Sequence, residues 1–361
     1  MASATNFCNN APHQSIQESY TQHTMKGFSV GKLPPHILQA LLAQCRVSRR
    51  SRVVLGPRFG EDAAVIDLGA KYLVAKTDPI TFTSERLGWY AVNINGNDVA
   101  TLGARPLWFL ATLLLPQETT SWPLVRKIFG DTLRACRELG VTLCGGHTEI
   151  TRGIDRPIMV GQMLGEVGKS KLVRKESQQP GDLVLLTRGI AIEGTALLAR
   201  ERRLTLASKL PAKTLRRAEQ LLFRPGISVV RDAMLAQRHG EIHAMHDPTE
   251  GGLASGLYEL AQAGGVGLRI WKDKVPILEE TRRFSEILGF DPFALIASGA
   301  LLVVVSAKST PKLLGAYARH AVRAAIIGEV REAAEGIQVV EKGRVGRLRV
   351  PRRDEIARLL E

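Results

Sequence analysis

The sequence predicts an α+β protein made of two mixed α/β domains. Three observations carry that expectation. Strand-like and helix-like apolar patterns alternate in both halves of the chain. The texture breaks near Gly168-Lys169-Ser170, where Lys171 to Pro180 turns polar and charged and Pro180-Gly181-Asp182 forms a turn. The chain has 361 residues, enough for two domains of ordinary size. The expected division is an N-terminal domain over 31–168, a C-terminal domain over 169–351 and a terminal helix over 352–361. Residues 1–30 are rich in Asn, Gln, Ser and Thr and are expected to be a disordered extension, with Met25 as a second candidate start.

The elements are read in chain order. A helix at about 35–45 leads into a basic turn. Ala63-Val65-Ile66 and Tyr72-Leu73-Val74 read as strands joined around Gly69. A long helix over 84–103 is stopped by Gly103 and Pro106. Leu107 to Leu115 is a strand, Trp122 to Leu139 a helix closed by Gly140, and Val141 to Cys144 and Ile158 to Val167 are strands. The second block opens with the strand Leu183 to Leu186 and continues with helices over 193–202, 212–222 and 228–239. A strand from Glu241 to Met245 precedes a helix over 248–263. Strands at Leu301 to Val305, Ala325 to Val330 and Gln338 to Val340 follow, with a helix near 311–322.

Bulk properties remove several function classes. The longest apolar run, Leu107 to Leu115, is too short to span a bilayer, and the polar start has no leader-like apolar stretch. Cys8, Cys45, Cys136 and Cys144 show neither CxxC spacing nor a disulfide framework, so a reducing, cytoplasmic compartment is expected. The net charge of +14 comes from scattered basic clusters with no aromatic residues interleaved. That favours a solvated basic surface and a small anionic substrate over a nucleic-acid partner.

One residue stands out. The helix from Leu87 carries an apolar stripe of Leu87, Ala91, Ile94 and Leu102, and Asp98 falls on it. A carboxylate there costs several kcal/mol, on the order of an unpaired buried charge, unless a cation or an open cleft meets it. Its neighbours Asn95-Gly96-Asn97 are poor helix formers. Asp62 in Gly60-Glu61-Asp62 and Asp78 in Thr77-Asp78-Pro79 flank two strands of the same block. Alone, each reads equally well as a hairpin cap or a turn. Together, the three aspartates are an oxygen-donor set suited to Mg²⁺, of the kind shared with nucleotide phosphates. No GxxxxGK[ST] loop and no HRD or DFG segment is present, so neither a P-loop protein nor a protein kinase is expected. Gly145-Gly146-His147-Thr148-Glu149 reads as a tight exit from a strand. In His246-Asp247-Pro248-Thr249-Glu250-Gly251-Gly252, Asp247 is read as an N-cap, Pro248 as N1 and Glu250 as the far half of a capping box. The two glycines serve no such cap; they would let an anion approach backbone N–H groups.

GEDAAV (60–65), TDPI (77–80), NDVATLGARP (97–106), GGHTE (145–149), HDPTEGGLA (246–254) and GFDPF (289–293) stand in one order along the chain. In this the chain resembles the aminoimidazole ribonucleotide synthetase-like (PurM-like) proteins over about residues 30–350. These include thiamine-monophosphate kinase, selenophosphate synthetase and the hydrogenase-maturation carbamoyl dehydratase. HDPTEGGLA and GFDPF are most similar to the dehydratase branch. The resemblance implies two α/β domains, with the N-terminal one pairing with its copy in a homodimer and binding ATP and Mg²⁺ in the cleft. It implies metal- and phosphate-binding roles for Asp62, Asp78 and Asp98, with Asn97 beside them. Gly145 and Gly146 match a nucleotide-approaching loop. Asp247 and Thr249 match the substrate or phosphate end, and His147 and Glu149 stand where they would contact phosphate or move a proton.

Three departures bear on the reaction. The dehydratase branch ends in a cysteine-bearing tail, whereas this chain ends in an expected helix and its last cysteine is Cys144. His147-Thr148-Glu149 replaces an Asp- and Lys-bearing segment. Ala297-Ser298-Gly299 stands where that branch has Asn-Glu-Gly, so an acid is missing. The expectation is an ATP- and Mg²⁺-dependent enzyme acting on a small anionic substrate. Its alternatives are a dehydratase with an altered tail, accompanied by a maturation-type protein partner, and a nucleotide-binding assembly protein without turnover.

Overall fold

Apolar runs between Val53 and Gly168 form six strands, and the computed structural model joins them in one sheet. It describes residues 31–361 other than 49 and 82; the polar extension with Cys8 and Met25 lies outside the described residues. The strands are β1 (Val53–Leu55), β2 (Ala64–Asp67), β3 (Lys71–Ile80), β4 (Arg105–Pro116), β5 (Thr142–Thr151) and β6 (Ile158–Gly168). Their order is β1-β2-β3-β6-β4-β5, and only the β4–β5 pair is parallel. A short helix α1 (Pro35–Leu42) precedes them, and α2 (Leu87–Thr101) and α3 (Trp122–Leu139) pack on one another beside the sheet.

Glycines of β6 let α2 lie unusually close to the sheet. A Cβ at Gly161 would sit 2.4 Å from the Asn95 amide nitrogen, and one at Gly165 would sit 2.5 Å from Val99 Cγ1. The outer flank of α2 is covered by second-domain residues, among them Leu222 and Ile227. All fifteen of its residues are therefore buried, and the expected single apolar stripe is a helix enclosed on every side.

The second block contains β7 (Leu183–Thr187), α4 (Ile192–Glu201), α5 (Arg203–Ala207), α6 (Ala212–Gln220), α7 (Val230–His239), β8 (Ile242–His246), α8 (Gly252–Gly264) and β9 (Gly267–Trp271). It continues with α9 (Glu279–Leu288), β10 (Leu302–Val305), α10 (Thr310–Arg319), β11 (Ala324–Arg331), β12 (Ile337–Glu341), β13 (Arg344–Arg347) and α11 (Glu355–Leu360). The sheet order is β13-β12-β9-β11-β7-β10-β8, parallel only between β12 and β9. Leucines of α8 pack on one face of it, and α7 and α10 on the other. The expected fold class, mixed α/β with two sheets, holds. Five elements were not anticipated: β1, β9, β13, α5 and α9. In α9 the inward apolar residues, Phe284, Ile287 and Leu288, are confined to its second half, and the first half reads as charged.

Two contacts tie distant parts of the chain together. Asp354 caps α11 and reaches further, accepting from the N–H groups of Ile356 at 2.7 Å, Gly251 at 2.5 Å and Ile296 at 3.3 Å. Asn97 of α2 donates to Ile227 O at 2.9 Å and accepts from the Val229 N–H at 2.8 Å. The buried amide thus pins the first domain to the second. Asn97→Ala removes two buried hydrogen bonds and leaves a backbone donor and acceptor unsatisfied. It should cost about 2–3 kcal/mol in urea unfolding, and Asn97→Asp, which cannot donate, should recover only part of that.

Candidate nucleotide and metal site

The alternation of β3 places Lys76 and Asp78 on one face, while Asp62 sits just ahead of β2. α2 brings Asp98 over that face. Lys76 Nζ lies 3.0 Å from Asp98 Oδ2 and 3.8 Å from Asp78 Oδ2. Thr101, one turn on from Asp98, donates to Asp62 Oδ2 at 3.2 Å. From the second domain, the end of β8 delivers His246 and Asp247 to the same place. One donor atom each from Asp62, His246 and Asp247 fall within 4.8 Å of one another.

The segment between the domains supplies a further charge. Lys175 is 1% exposed, and its ammonium donates to Gly60 O and to Asp62 Oδ2, the latter at 2.7 Å. It also stands 3.2 Å from His246 Nδ1. That ring nitrogen is 3.1 Å from Asp62 Oδ2, and Nε2 is 3.0 Å from Glu259 Oε2 on α8. A chain of charges therefore runs Lys175–Asp62–His246–Glu259, ending at Lys32, 3.3 Å from Glu259.

The protonation states follow from these contacts. Burial alone would raise the Asp62 carboxyl, but His246 and Lys175 together hold it well below the usual carboxylate range. Burial alone would lower His246, yet Asp62 and Glu259 on its two nitrogens hold it above its ordinary value, as an imidazolium. Glu259 is lowered to about 2: burial opposes this, while Lys32 and His246 prevail. Asp98 behaves differently. Burial pushes it up to about 6 against the pull of Lys76, with Asp62 and Asp78 adding repulsion. Asp247 is raised as well, by burial first and then by Asp98 and Asp62. Neither Asp247 oxygen has a hydrogen-bond partner among the described residues.

The sequence-predicted residues divide in space. Asp62, Asp78, Asp98 and Asp247 converge. Asn97 does not join them, because its amide is used on both sides in the domain pin; its expected place beside a cofactor is corrected on that ground. Gly145, Gly146, His147 and Glu149 are also placed differently. They are not a strand exit but lie within β5, at the edge of the sheet. Gly146 opposes Ala111, which opposes Gly161, which opposes Asp78. Three strand spacings, roughly 14 Å, thus separate them from the acids. His147 Nε2 and Glu149 Oε2 are 3.5 Å apart, and both side chains are exposed. Gly146 is required there: at φ +151°, a Cβ would fall 2.0 Å from Ala111 O.

The expected capping box is overturned too. α8 begins at Gly252, with Gly251 (φ +79°) before it, so Asp247 to Glu250 precede the helix. A Cβ at Gly252 would lie 2.6 Å from both Leu295 O and Phe293 O, a close approach that sets the helix start. The Thr249 carbonyl accepts from the N–H groups of Gly252 at 3.0 Å and Ala297 at 3.2 Å. Lys76, Lys175, His246 and Glu259 had been given no role. Only Lys76 carried a signal, standing two residues from Asp78 on the same strand face. The large groove, about 1060 Å³, lies elsewhere, beside the β12–β13 hairpin. The acid cluster itself is closed in, with Asp98 4% and Asp247 1% exposed.

Known proteins resemble the chain over both of its sheets. Residues 60–167 match the N-terminal domain, and residues 179–340 the C-terminal domain, of the AIR synthase related proteins. The chain belongs to the AIR synthase-related family. Among its relatives is a carbamoyl dehydratase HypE from Rhodobacter capsulatus, 31% identical, with 73% of this chain and 74% of that one covered. A selenide, water dikinase from Aeromonas hydrophila is 27% identical, with 86% and 94% covered. A solved structure of the hydrogenase maturation protein HypE in complex with ATP superimposes with a TM-score of 0.64 at 24% identity, covering 82% of this chain and 90% of that one. The two relatives compared by sequence are named for reactions, and the expectation of an enzyme holds.

The charge chain makes two predictions. Lys175→Met leaves Asp62 buried with only His246 and Thr101 as partners and should destabilise the protein by about 3–5 kcal/mol in chemical denaturation. His246 titrates near 6.5 when unfolded and higher when folded, so the folded state binds the extra proton between the two values. Its stabilisation is complete below the unfolded value and is lost as pH rises through the folded one. Melting temperature should therefore fall as pH rises from about 6.5 through the raised folded value, and His246→Gln should flatten that slope.

Proposed function

We propose that the chain is an ATP- and Mg²⁺-dependent enzyme that phosphorylates or otherwise activates a small substrate in the seam between its domains. One observation carries the reading. Four carboxylates from two domains converge, burial opposes the charge of Asp98 and Asp247 among them, and the Asp247 oxygens have no partner among the described residues. Folding does not gain from such a cluster. A hard cation with oxygen ligands satisfies it, and Asp62, Asp78, Asp98 and Asp247 form a donor set that fits Mg²⁺. When bound, the metal neutralises phosphate charge. The chain's own residues hold and orient the nucleotide. Lys76 and Lys175, then released from the acids, are placed to meet phosphate oxygens. Positioning and charge neutralisation supply most of the catalysis in phosphoryl transfer.

The assembly belongs to this reading. β5 and α3 offer exposed apolar residues, Ile150, Trp122, Phe129 and Leu133, for a copy of the chain. Among the described residues no helix is long and apolar enough to cross a membrane, and a cytoplasmic setting goes with the proposal. The division at 168–169 and the ligand roles of the aspartates are part of the same proposal.

A second reading is favoured by the likeness to a carbamoyl dehydratase. It needs a point of attachment for the carbamoyl group, and the last cysteine, Cys144, lies on β5 rather than on the tail. Mass spectrometry after incubation with a carbamoyl donor tests it; an unmodified chain speaks against it.

For the main reading, Asp98→Ala should abolish measurable Mg²⁺-ATP binding in titration calorimetry while leaving a cooperative thermal transition. A variant that binds Mg²⁺-ATP like the parent would remove Asp98 from the site.

A further inference from the structure

A second buried acid lies on the same seam and has no role in the site described above. Glu193, in the first turn of α4, is 5% exposed, and its Oε2 has no hydrogen-bond partner among the described residues. The backbone sets it in place. The Gly194 N–H donates to Ile296 O at 3.2 Å, and a Cβ on Gly194 would lie 2.5 Å from Leu295 Cγ. A Cβ on Gly299 would lie 3.2 Å from Ile192 Cγ2. Residues 192 and 194 therefore clasp the 295–299 segment from both sides, and Glu193 between them meets Ser298. That serine is fully buried. The same segment is bound through Ala297 to Thr249, two residues beyond Asp247.

Several groups face the carboxyl. Ser298 stabilises its charged form, while Asp354 from the tail and Asp78 from β3 repel it. Tyr90 of α2 also lies within reach of the Glu193 charge, with Arg200 of α4 beside Tyr90. Glu193, on the second domain, thus stands near enough to Asp78 of the first for their charges to repel across the seam. Among the described residues no cation takes its free oxygen, unlike Asp62 and Asp98 with their lysines. An apolar residue would pack better as structure alone, since burying this acid carries a desolvation cost.

We propose that Glu193 is the proton acceptor of the reaction, serving a substrate that attacks through a hydroxyl, amine or amide group rather than through an atom already anionic. The proposal rests on the ATP-dependent reading above. The nucleophile's lone pair forms the bond to the γ-phosphorus, the bond from that phosphorus to the bridging oxygen breaks, and its electron pair leaves with ADP. The proton of the attacking O–H or N–H passes to Glu193 Oε2. Ser298 is a positioning residue for that carboxyl. Burial first, and then Asp354 and Asp78, push Glu193 up to about 7, so that at neutral pH it both accepts and releases a proton.

The test uses the full chain, with water as the acceptor in Mg²⁺-ATP hydrolysis. Glu193→Gln keeps the shape of the side chain and should bind Mg²⁺-ATP in calorimetry as the parent does. Its turnover should fall roughly 100-fold, the usual loss of a general base. The rise of the parent's rate with pH through about 7 should vanish in that variant, and Glu193→Asp should keep part of it. A purely structural Glu193 would change the melting temperature without moving the pH profile. Equal rate and pH dependence in Glu193→Gln overturn the proposal. So does a parent chain that binds Mg²⁺-ATP and never hydrolyses it. If the parent fails to bind Mg²⁺-ATP at all, the ATP-dependent reading itself fails, and calorimetry shows this before any rate is measured.

Discussion

Carboxylates from two domains cannot share one buried seam unless positive charge stands among them, and here two lysines and a histidine provide it. Lys76 answers Asp98 and Asp78 from within β3. Lys175 answers Asp62 from the segment that joins the domains, and His246 answers it from β8. The arrangement is unequal. Asp62 is so well served that it stays ionised, while Asp98 and Asp247 are left short of partners and rise toward protonation. Breaking a buried pair by removing one partner is far more damaging than replacing both with apolar groups. The relative placement of the domains is thus bound to the same charges that make the seam a site.

What the sequence disclosed depended on how local the cause was. Asp98 was legible because a charged residue among poor helix formers inside a helix is a contradiction within one turn. Even so, the stripe on which that argument stood is incomplete. α2 is covered on all sides because Gly161 and Gly165 admit it to the sheet and the second domain closes over it, and neither fact lies within the helix. The capping-box pattern at 247–250 was misleading for a related reason. Gly251 and Gly252 adopt positive φ so that the backbone can pass Phe293 and Leu295, a contact more than forty residues away in sequence. The strand through Gly145-Gly146 reads as an exit only until Ala111 is known to press against it. Lys175 had no local signal, and His246 stood in a flagged segment without a role of its own, since their partner Asp62 stands 113 and 184 residues away.

The fold and the chemistry meet in glycines as much as in acids. Gly194 and Gly299 hold α4 against the 295–299 segment, and Glu193 and Ser298 face each other as a result. The turn that lacks the expected acid at 298 therefore has a carboxyl beside it, brought in by another element. Asp354 closes the far side of the same turn by gathering the N–H groups of Gly251 and Ile296. The C-terminal segment, which carries no cysteine, is here a piece of the wall.

Asn97 leaves one more mark on the molecule. Its amide reads the backbone of residues 227 and 229 as a neighbouring strand would, so α2 belongs to both domains at that point. If the cleft opens to admit a nucleotide, it has to turn about this residue as about an axle, or break two buried bonds worth about 1 kcal/mol each. The acids closest to that axle move least, and Asp98 is the very next residue.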